Sequence, residues 1–339
     1  MAWPRRFGLG YAGVPKPLLR PSTQASTPYT HNGLGYRICW HHDVDADATV
    51  ENTSDDPWYT FCYGERWRIV ETYREGDTYP KEQFYYHNAG MSGMGGSSSI
   101  DSVLLRRRDV TNGWAGSADG IMEESTYYCQ NWRSDVSVLL DASGDVMERI
   151  KYSTYGTPTS LPPGDTNSDA VANTTDSTQI ATWTLAPIYD VRGDINLDGV
   201  VNGTDSSLYA AASMGRGILT GTGNRKGYWG YENFGVLADS SISGSNSRFW
   251  HVRHRVLNST MGRWTRRDPI GYVDGSSLLQ YVNASPITDL DPTGLISRAA
   301  CDDGLFCYNL WGSLITTAGG MATPLWRGYA GGRDSSASS

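Results

Sequence analysis

Two sets of oxygen-bearing side chains in this 339-residue chain are spaced as chemistry would require. The first is a pair of Asp-Pro-x-Gly tetrapeptides, Asp268-Pro269-Ile270-Gly271 and Asp291-Pro292-Thr293-Gly294. Proline at the second position fixes φ and glycine at the fourth accepts the returning chain, so each predicts a tight turn that presents its aspartate at a rim. Two carboxylates brought to one site can divide the work of acid and base, one ionised and one holding its proton, which is the requirement of aspartate-type peptide hydrolysis. Between the turns, Leu278 to Val282 reads as a short strand. Whether the two aspartates meet depends on strand register, which spacing alone does not fix.

The second set is repeated. GDINLDGVVNGTDSSLYAAA from Gly193 places Asp194, Asn196, Asp198, Asn202 and Asp205 at positions 1, 3, 5, 9 and 12 of a loop, with Gly199 at position 6 and the Val200 carbonyl at 7. Calcium is a hard cation that takes six to eight oxygens, and this alternation turns enough of them inward around a loop folded sharply at position 6. GDTNSDAVANTTDSTQIATW from Gly164 supplies Asp165, Asn167, Asp169, Asn173 and Asp176 at the same positions, with the Val171 carbonyl at 7. Here Ala170 replaces the glycine; a positive φ at that residue costs roughly 1 kcal/mol or more, so the second loop is expected to bind Ca2+ more tightly. Helices are predicted after each loop, from Thr175 to about Trp183 and from Thr204 to about Ser213, the latter ended by Gly215.

The elements that must position these groups read as strands. Twenty-one Tyr, twelve Trp and thirty-nine Gly suit aromatic strands joined by tight turns. Trp58 to Tyr63, Glu65 to Tyr73 and Lys81 to Tyr86 are such runs, with a turn at Glu75-Gly76-Asp77. The clearest hairpin joins Val136, Val138 and Leu140 through Ala142-Ser143-Gly144-Asp145 to Val146, Ile150 and Tyr152. A net charge of −8 argues against nucleic acid as a partner. Cys39, Cys62, Cys129, Cys301 and Cys307 follow no C-x-x-C spacing and read as buried free thiols. The proline-broken leader offers no signal-peptide core. Gly304 to Trp326 is uncharged, but its Gly, Thr, Ser, Asn and Pro content disfavours membrane insertion. His41, His42 and Asp43-x-Asp45-x-Asp47 read as a solvated loop, since Ser54 stands where a calcium loop would close. Gly90 to Ser99 reads as a connector, and His251 and His254, three apart on a strand, as structural.

Arg267 to Gly271, Leu278, Tyr281, Val282, Asn283, Pro286, Ile287 and Asp291 to Leu295 fall in order on a pattern that resembles the end of the core of RHS/YD-repeat proteins. These shell-forming proteins include polymorphic toxins and C components of insecticidal toxin complexes. His31 to Arg37, the phrase from Asn131 to Pro158, and Asn224 onward, including Arg248 to Arg255, resemble the same family. The resemblance implies a mainly β fold, an antiparallel YD-repeat hairpin sheet forming a partial shell. It also implies an aspartate pair, Asp268 and Asp291, with Arg267 as the neighbour that tunes it, and one self-cleavage between Leu295 and Ile296 that releases the tail. Secreted or cell-surface placement follows from the same likeness. The calcium repeats are similar to type I dockerin pairs, which implies a small α-helical EF-hand-like insertion.

The expected organisation is a leader over 1–30, a β region over 31–160, paired calcium loops over 161–217, the RHS core over 218–295 and a variable tail over 296–339. The expected function is that of a shell-type structural protein, calcium-binding and cut once after Leu295. The alternatives are a calcium-dependent scaffold that docks a cohesin-like partner without catalysis, and an inactive fragment of a longer RHS shell.

Overall fold

The computed structural model describes residues 29–33, 36–41, 56–64, 67–86, 101–113, 116–131, 133–186, 188–214, 222, 224–233 and 249–299, with two-residue strands at 307–308, 314–315, 317–318 and 321–322. The readings placed on the 1–28 leader, on His42 to Asp47, on Gly90 to Ser99 and on most of the tail lie outside these residues.

The molecule is mainly antiparallel β. Ten strands pair strictly in chain order: β1 (Tyr29–His31), β2 (Arg37–His41), β3 (Trp58–Tyr63), β4 (Ile69–Arg74), β5 (Glu82–Tyr86), β6 (Val103–Arg108), β7 (Glu124–Gln130), β8 (Val136–Leu140), β9 (Val146–Tyr152) and β10 (Pro158–Leu161). Each connection is local, so hairpin after hairpin adds to one growing edge. One face of β3, β5, β7 and β9 buries Phe61, Phe84, Tyr128 and Ile150 with Trp40, Val103 and Leu139. The predicted turns at Gly76 (φ +83°) and Gly144 (φ +93°) are present, each needing the positive φ that glycine supplies without strain.

In the clearest hairpin, Val136 and Leu139 are buried, where alternation alone predicted Val136, Val138 and Leu140. A register shift at Cys129/Gln130, which pairs Gln130 with Val136 but Cys129 with Val138, flips the parity of β8. Of the thiols expected to be buried, Cys39 is, but Cys129 is exposed.

The same sheet face carries charge. Arg37 pairs with Glu232 at 2.7 Å, Arg225 with Glu82 at 2.6 Å and Arg253 with Asp101 at 2.8 Å, all buried. These pairs fasten the later chain to the ten-stranded sheet. That later chain forms a four-stranded sheet, β13 (Glu232–Asn233), β14 (Phe249–Val252), β15 (Arg255–Asn258) and β16 (Arg263–Trp264), whose aromatic core gathers Tyr228, Trp229, Tyr231, Trp250, Trp264 and Tyr281. Tyr152 of β9 packs against both cores and joins them.

Between the sheets lie helices α1 (Thr174–Leu185) and α2 (Gly203–Leu208), packed on Ile180, Trp183, Ile195 and Val201. The second is shorter than predicted. It ends at Tyr209, and β12 (Ala212–Ser213) instead pairs with β11 (Val171–Ala172) as a two-residue ladder. Among the described residues, no helix is long and apolar enough to cross a membrane.

Candidate functional site

The hairpin turn between β14 and β15 grips the second Asp-Pro-x-Gly turn. Three consecutive residues donate to three consecutive carbonyls: Arg253 Nη1 to Pro292, the His254 N–H to Thr293 at 3.2 Å, and Arg255 Nε to Gly294. Gly294 (φ +73°) has no alternative there, because a Cβ would lie 2.4 Å from the Val252 carbonyl oxygen. This docking buries Asp291 to 1 % exposure. Its Oδ1 accepts the N–H groups of Thr293 (3.2 Å), Gly294 (2.8 Å) and Leu295 (3.0 Å), and the Thr293 hydroxyl. Tyr231 fixes its backbone, donating its hydroxyl to the Asp291 carbonyl at 2.9 Å.

Asp268 heads the other turn. Its carbonyl accepts the Gly271 N–H at 3.2 Å, closing the predicted turn, and its Oδ1 accepts the Ile270 N–H at 2.9 Å. The two aspartates converge on one guanidinium. Arg255 Nη1 lies 2.8 Å from Asp268 Oδ2 and Arg255 Nη2 lies 3.0 Å from Asp291 Oδ2, with the guanidinium carbon 4.2 Å from the centre of the Trp264 ring. The pair therefore shares a buried cation instead of touching directly. Burial pushes the Asp291 carboxyl above its ordinary range, against the pull of the Leu295 N–H and of Arg255. A carboxyl so placed is biased toward holding a proton.

Arg267, the sequence neighbour expected to tune the pair, is exposed, and Arg255 occupies that role. The expected strand over Leu278 to Val282 is not formed. Only Gln280 makes a bridge, to Arg263, while Val282 (φ +42°), Asn283 (φ +51°) and Ala284 (φ +62°) turn the chain away. Tyr281 and Val282 enter the aromatic core through that turn, so burial overrides their strand preference. Leu295 is half-buried beside Asp291, and Ile296 is exposed.

The two candidate calcium loops fold alike. Position 4 is at positive φ in both, Ser168 (+62°) and Leu197 (+56°), as is position 6, Ala170 (+73°) and Gly199 (+89°). The position-1 carboxylate accepts the position-6 N–H in each, Ala170 to Asp165 Oδ2 at 2.9 Å and Gly199 to Asp194 Oδ2 at 3.0 Å. The position-12 carboxylates are buried and close capping boxes on the helices, Asp176 Oδ2 taking the Asn173 N–H at 2.9 Å and Asp205 Oδ2 the Asn202 N–H at 2.8 Å. For Asp176, burial works against the charge, but the N–H groups of Asn173 and Thr166 and the Thr166 hydroxyl outweigh it and hold the carboxyl below its usual range. Asn167, Asp169, Asn196 and Asp198 ring the outside of the loops. The donor set is all oxygen, the chemistry a hard cation takes, but the three carboxylates of each loop do not converge: among the described residues, only Asp109, Asp119 and Glu123 bring three acidic ligand atoms within 4.8 Å of one another.

The second loop is tied to the large sheet. Val146 of β9 donates its N–H to the Ile195 carbonyl at 2.8 Å, and Arg149 Nη2 donates to the carbonyls of Val191 and, at 3.2 Å, Asp194. Among the described residues, His251 and His254 belong to no group of convergent metal ligands. His251 is half-buried, and desolvation of its ring lowers its pKa, while the His254 ring lies against Tyr36.

This is the frame of a β protein built by sequential hairpins, with a paired-loop insertion and an aspartate pair at the end of its second sheet. No protein-family model and no curated protein matches the chain. Among solved structures it is similar to the TcdB2-TccC3-Cdc42 complex at 15 % identity and TM-score 0.35, and to TcdB2-TccC3 at 15 % and 0.36, covering 79 % of this chain in each. It is also similar to the Photorhabdus luminescens Tc holotoxin pore at 14 % and 0.34, covering 80 %. The chain spans 10 % of the length of each of those chains.

Proposed function

We propose that this chain is a segment of an RHS-like β shell, stapled by two Ca2+ ions in the 161–217 insertion and able to cut itself once after Leu295. The observation that carries the calcium reading is the positive φ at positions 4 and 6 of both loops, although position 6 differs in residue type. Ala170 is held there at a φ that costs it energy, as a requirement shared by the two loops would have it. Asp165, Asn167, Asp169, Asn173, Asp176 and the Val171 carbonyl would hold one ion. Asp194, Asn196, Asp198, Asn202, Asp205 and the Val200 carbonyl would hold the other. A bound ion would neutralise the clustered carboxylates and so stiffen the joint between insertion and sheet.

Calorimetric titration with Ca2+ tests this. Two binding events are expected, the tighter lost on Asp194→Ala and the weaker on Asp165→Ala; no heat in the parent would end the reading.

The self-cleavage reading is supported by the convergence of Asp268 and Asp291 on Arg255, with Asp291 bonded to the N–H of the residue that precedes the bond. Asp268, the less enclosed, takes a proton from water, whose oxygen adds to the Leu295 carbonyl carbon. Asp291 delivers a proton to the Ile296 nitrogen as the C–N bond breaks, leaving a Leu295 carboxylate and an Ile296 amine. Arg255 keeps both carboxyl groups in register throughout. Intact mass is the test: a break between Leu295 and Ile296 in the parent, absent in Asp268→Asn and in Asp291→Asn. An uncut parent would leave the two turns as structure alone.

A further inference from the structure

The bond between Leu295 and Ile296 is held on both sides. Upstream, the Leu295 N–H is bonded to Asp291. Downstream, Asp274 takes hold of Ser297 with unusual completeness. The Ser297 N–H lies 3.0 Å from both Oδ1 and Oδ2, and the Ser297 hydroxyl donates to Oδ1 at 2.7 Å. Asn283 Nδ2 then donates to the Ser297 hydroxyl oxygen at 3.2 Å. Beyond it, Arg298 and Ala299 pair with Leu290 and Asp289 as a two-residue antiparallel ladder.

The surroundings are shaped for this grip. Asp274 precedes Gly275, which has φ +142°, and a Cβ there would stand 2.8 Å from the Asn283 side-chain oxygen. Asn283 itself lies in the run of three positive-φ residues, among them β-branched Val282. A β-branched residue at positive φ is costly, and such strain persists only where the surroundings impose it. Here the strained run presents Asn283 to Ser297.

None of these contacts passes through the Leu295–Ile296 bond. We infer that Asp274, Asn283 and the Asp289–Leu290 strand form a retention site for the downstream chain, which stays docked through Ser297, Arg298 and Ala299 after that bond is broken. This inference rests on the self-cleavage reading for its biological meaning but not for its geometry. Hydrolysis would leave an Ile296 ammonium beside the residue that Asp274 holds, adding a charge of opposite sign to the clasp. Cutting and release become separate events, the second governed by a carboxylate that takes no part in the first. The ligand class is an extended peptide with serine at its second residue, supplied by the chain itself.

The test reads both events in the full-length chain. Hydrogen exchange of the Ser297, Arg298 and Ala299 amides is compared in parent, Asp274→Ala and Ser297→Ala, while gel filtration with intact mass shows whether a downstream fragment travels with the body. Protected amides are expected in the parent, with exchange at least about tenfold faster in Asp274→Ala, because a charge-accepted hydrogen bond is lost. A smaller acceleration is expected in Ser297→Ala, which removes only the hydroxyl and guards against a misfolded Asp274 variant. A cut parent should keep its fragment, and cut Asp274→Ala should shed it. Exchange and co-elution unchanged in both variants would overturn the retention site. A parent that is uncut, yet whose Ser297 protection depends on Asp274, would sink self-cleavage and leave the clasp standing. A parent that is cut and sheds its fragment at once would do the reverse.

Discussion

The two Asp-Pro-x-Gly turns are close to identical on paper and opposite in their surroundings. Both glycines sit at the same backbone angle, φ +75° at Gly271 and +73° at Gly294. Gly271 faces open space, with nothing within 4 Å of where a Cβ would stand, whereas Gly294 is pressed against the backbone of Val252 and Arg255. Asp268 accepts one backbone N–H and one cation, while Asp291 accepts three N–H groups, a hydroxyl and the same cation. A turn motif therefore sets the local path of the chain, and the neighbouring hairpin decides how completely its aspartate is enclosed, both being buried but Asp291 more so.

Removing what the turns share should have the largest effect. Arg255→Met leaves two carboxylates in a buried site without their cation, and breaking such a pair from one side costs about 3–5 kcal/mol. Urea unfolding at neutral pH should show that loss, together with loss of any cut after Leu295; a variant as stable as the parent would mean that the guanidinium does not bind the turns together.

Gly294→Ala comes next. It adds backbone strain to a contact that cannot yield, for roughly 2–4 kcal/mol. The same unfolding curves measure it, and a loss no greater than that of Gly271→Ala would erase the contrast between the turns.

The pH dependence of Asp291 sharpens the comparison differently. Burial raises its carboxyl in the folded chain above the value of 3.8 that the unfolded chain would show. The stability this contributes is fully present below the unfolded value and is lost as pH rises through the folded one. Glu232 acts in the opposite sense. Burial alone would raise it, but Arg37, Lys226 and Arg225 hold it at about 2, against 4.5 unfolded, so its contribution is lost as pH falls through that range. Subtracting the unfolding free energy of Asp291→Asn from that of the parent across a pH series cancels Glu232. The difference should be largest at the acid end and shrink as pH rises; a flat difference would mean that Asp291 is not held toward its proton.

How far the sequence anticipates this varies by kind of feature. The sheet follows from aromatic alternation and turn glycines, which act within a few residues, and β3, β4 and β5 fall close to where the pattern predicts them. The paired loops follow from a sequence repeat whose matching positions take the same positive φ in both copies. Arg255 was hidden because its partners come from later turns, one brought to it by the pairing of β16 on β15 and the other by the docking of the second turn on the β14–β15 hairpin. Arg267 misled through adjacency, since neighbouring residues in an extended stretch leave the backbone in different directions. The charges on the sheet's inner face were hidden for the same reason as Arg255. Arg37 and Glu82 stand where alternation expects apolar residues, and their partners Glu232 and Arg225 arrive from the far side of the insertion.

The smallest effect tests the premise that the turn itself is the same in both places. Gly271→Ala meets no atom, so its whole cost is the strain of a Cβ at positive φ, about 1 kcal/mol. Asp268 should keep its bond to Arg255, because neither the Ile270 N–H that orients its carboxylate nor the Gly271 N–H that closes the turn is removed. A loss near that size, with Asp268 still required for any cut after Leu295, is the expected outcome. A loss as large as that of Gly294→Ala would mean that the first turn is packed as tightly as the second.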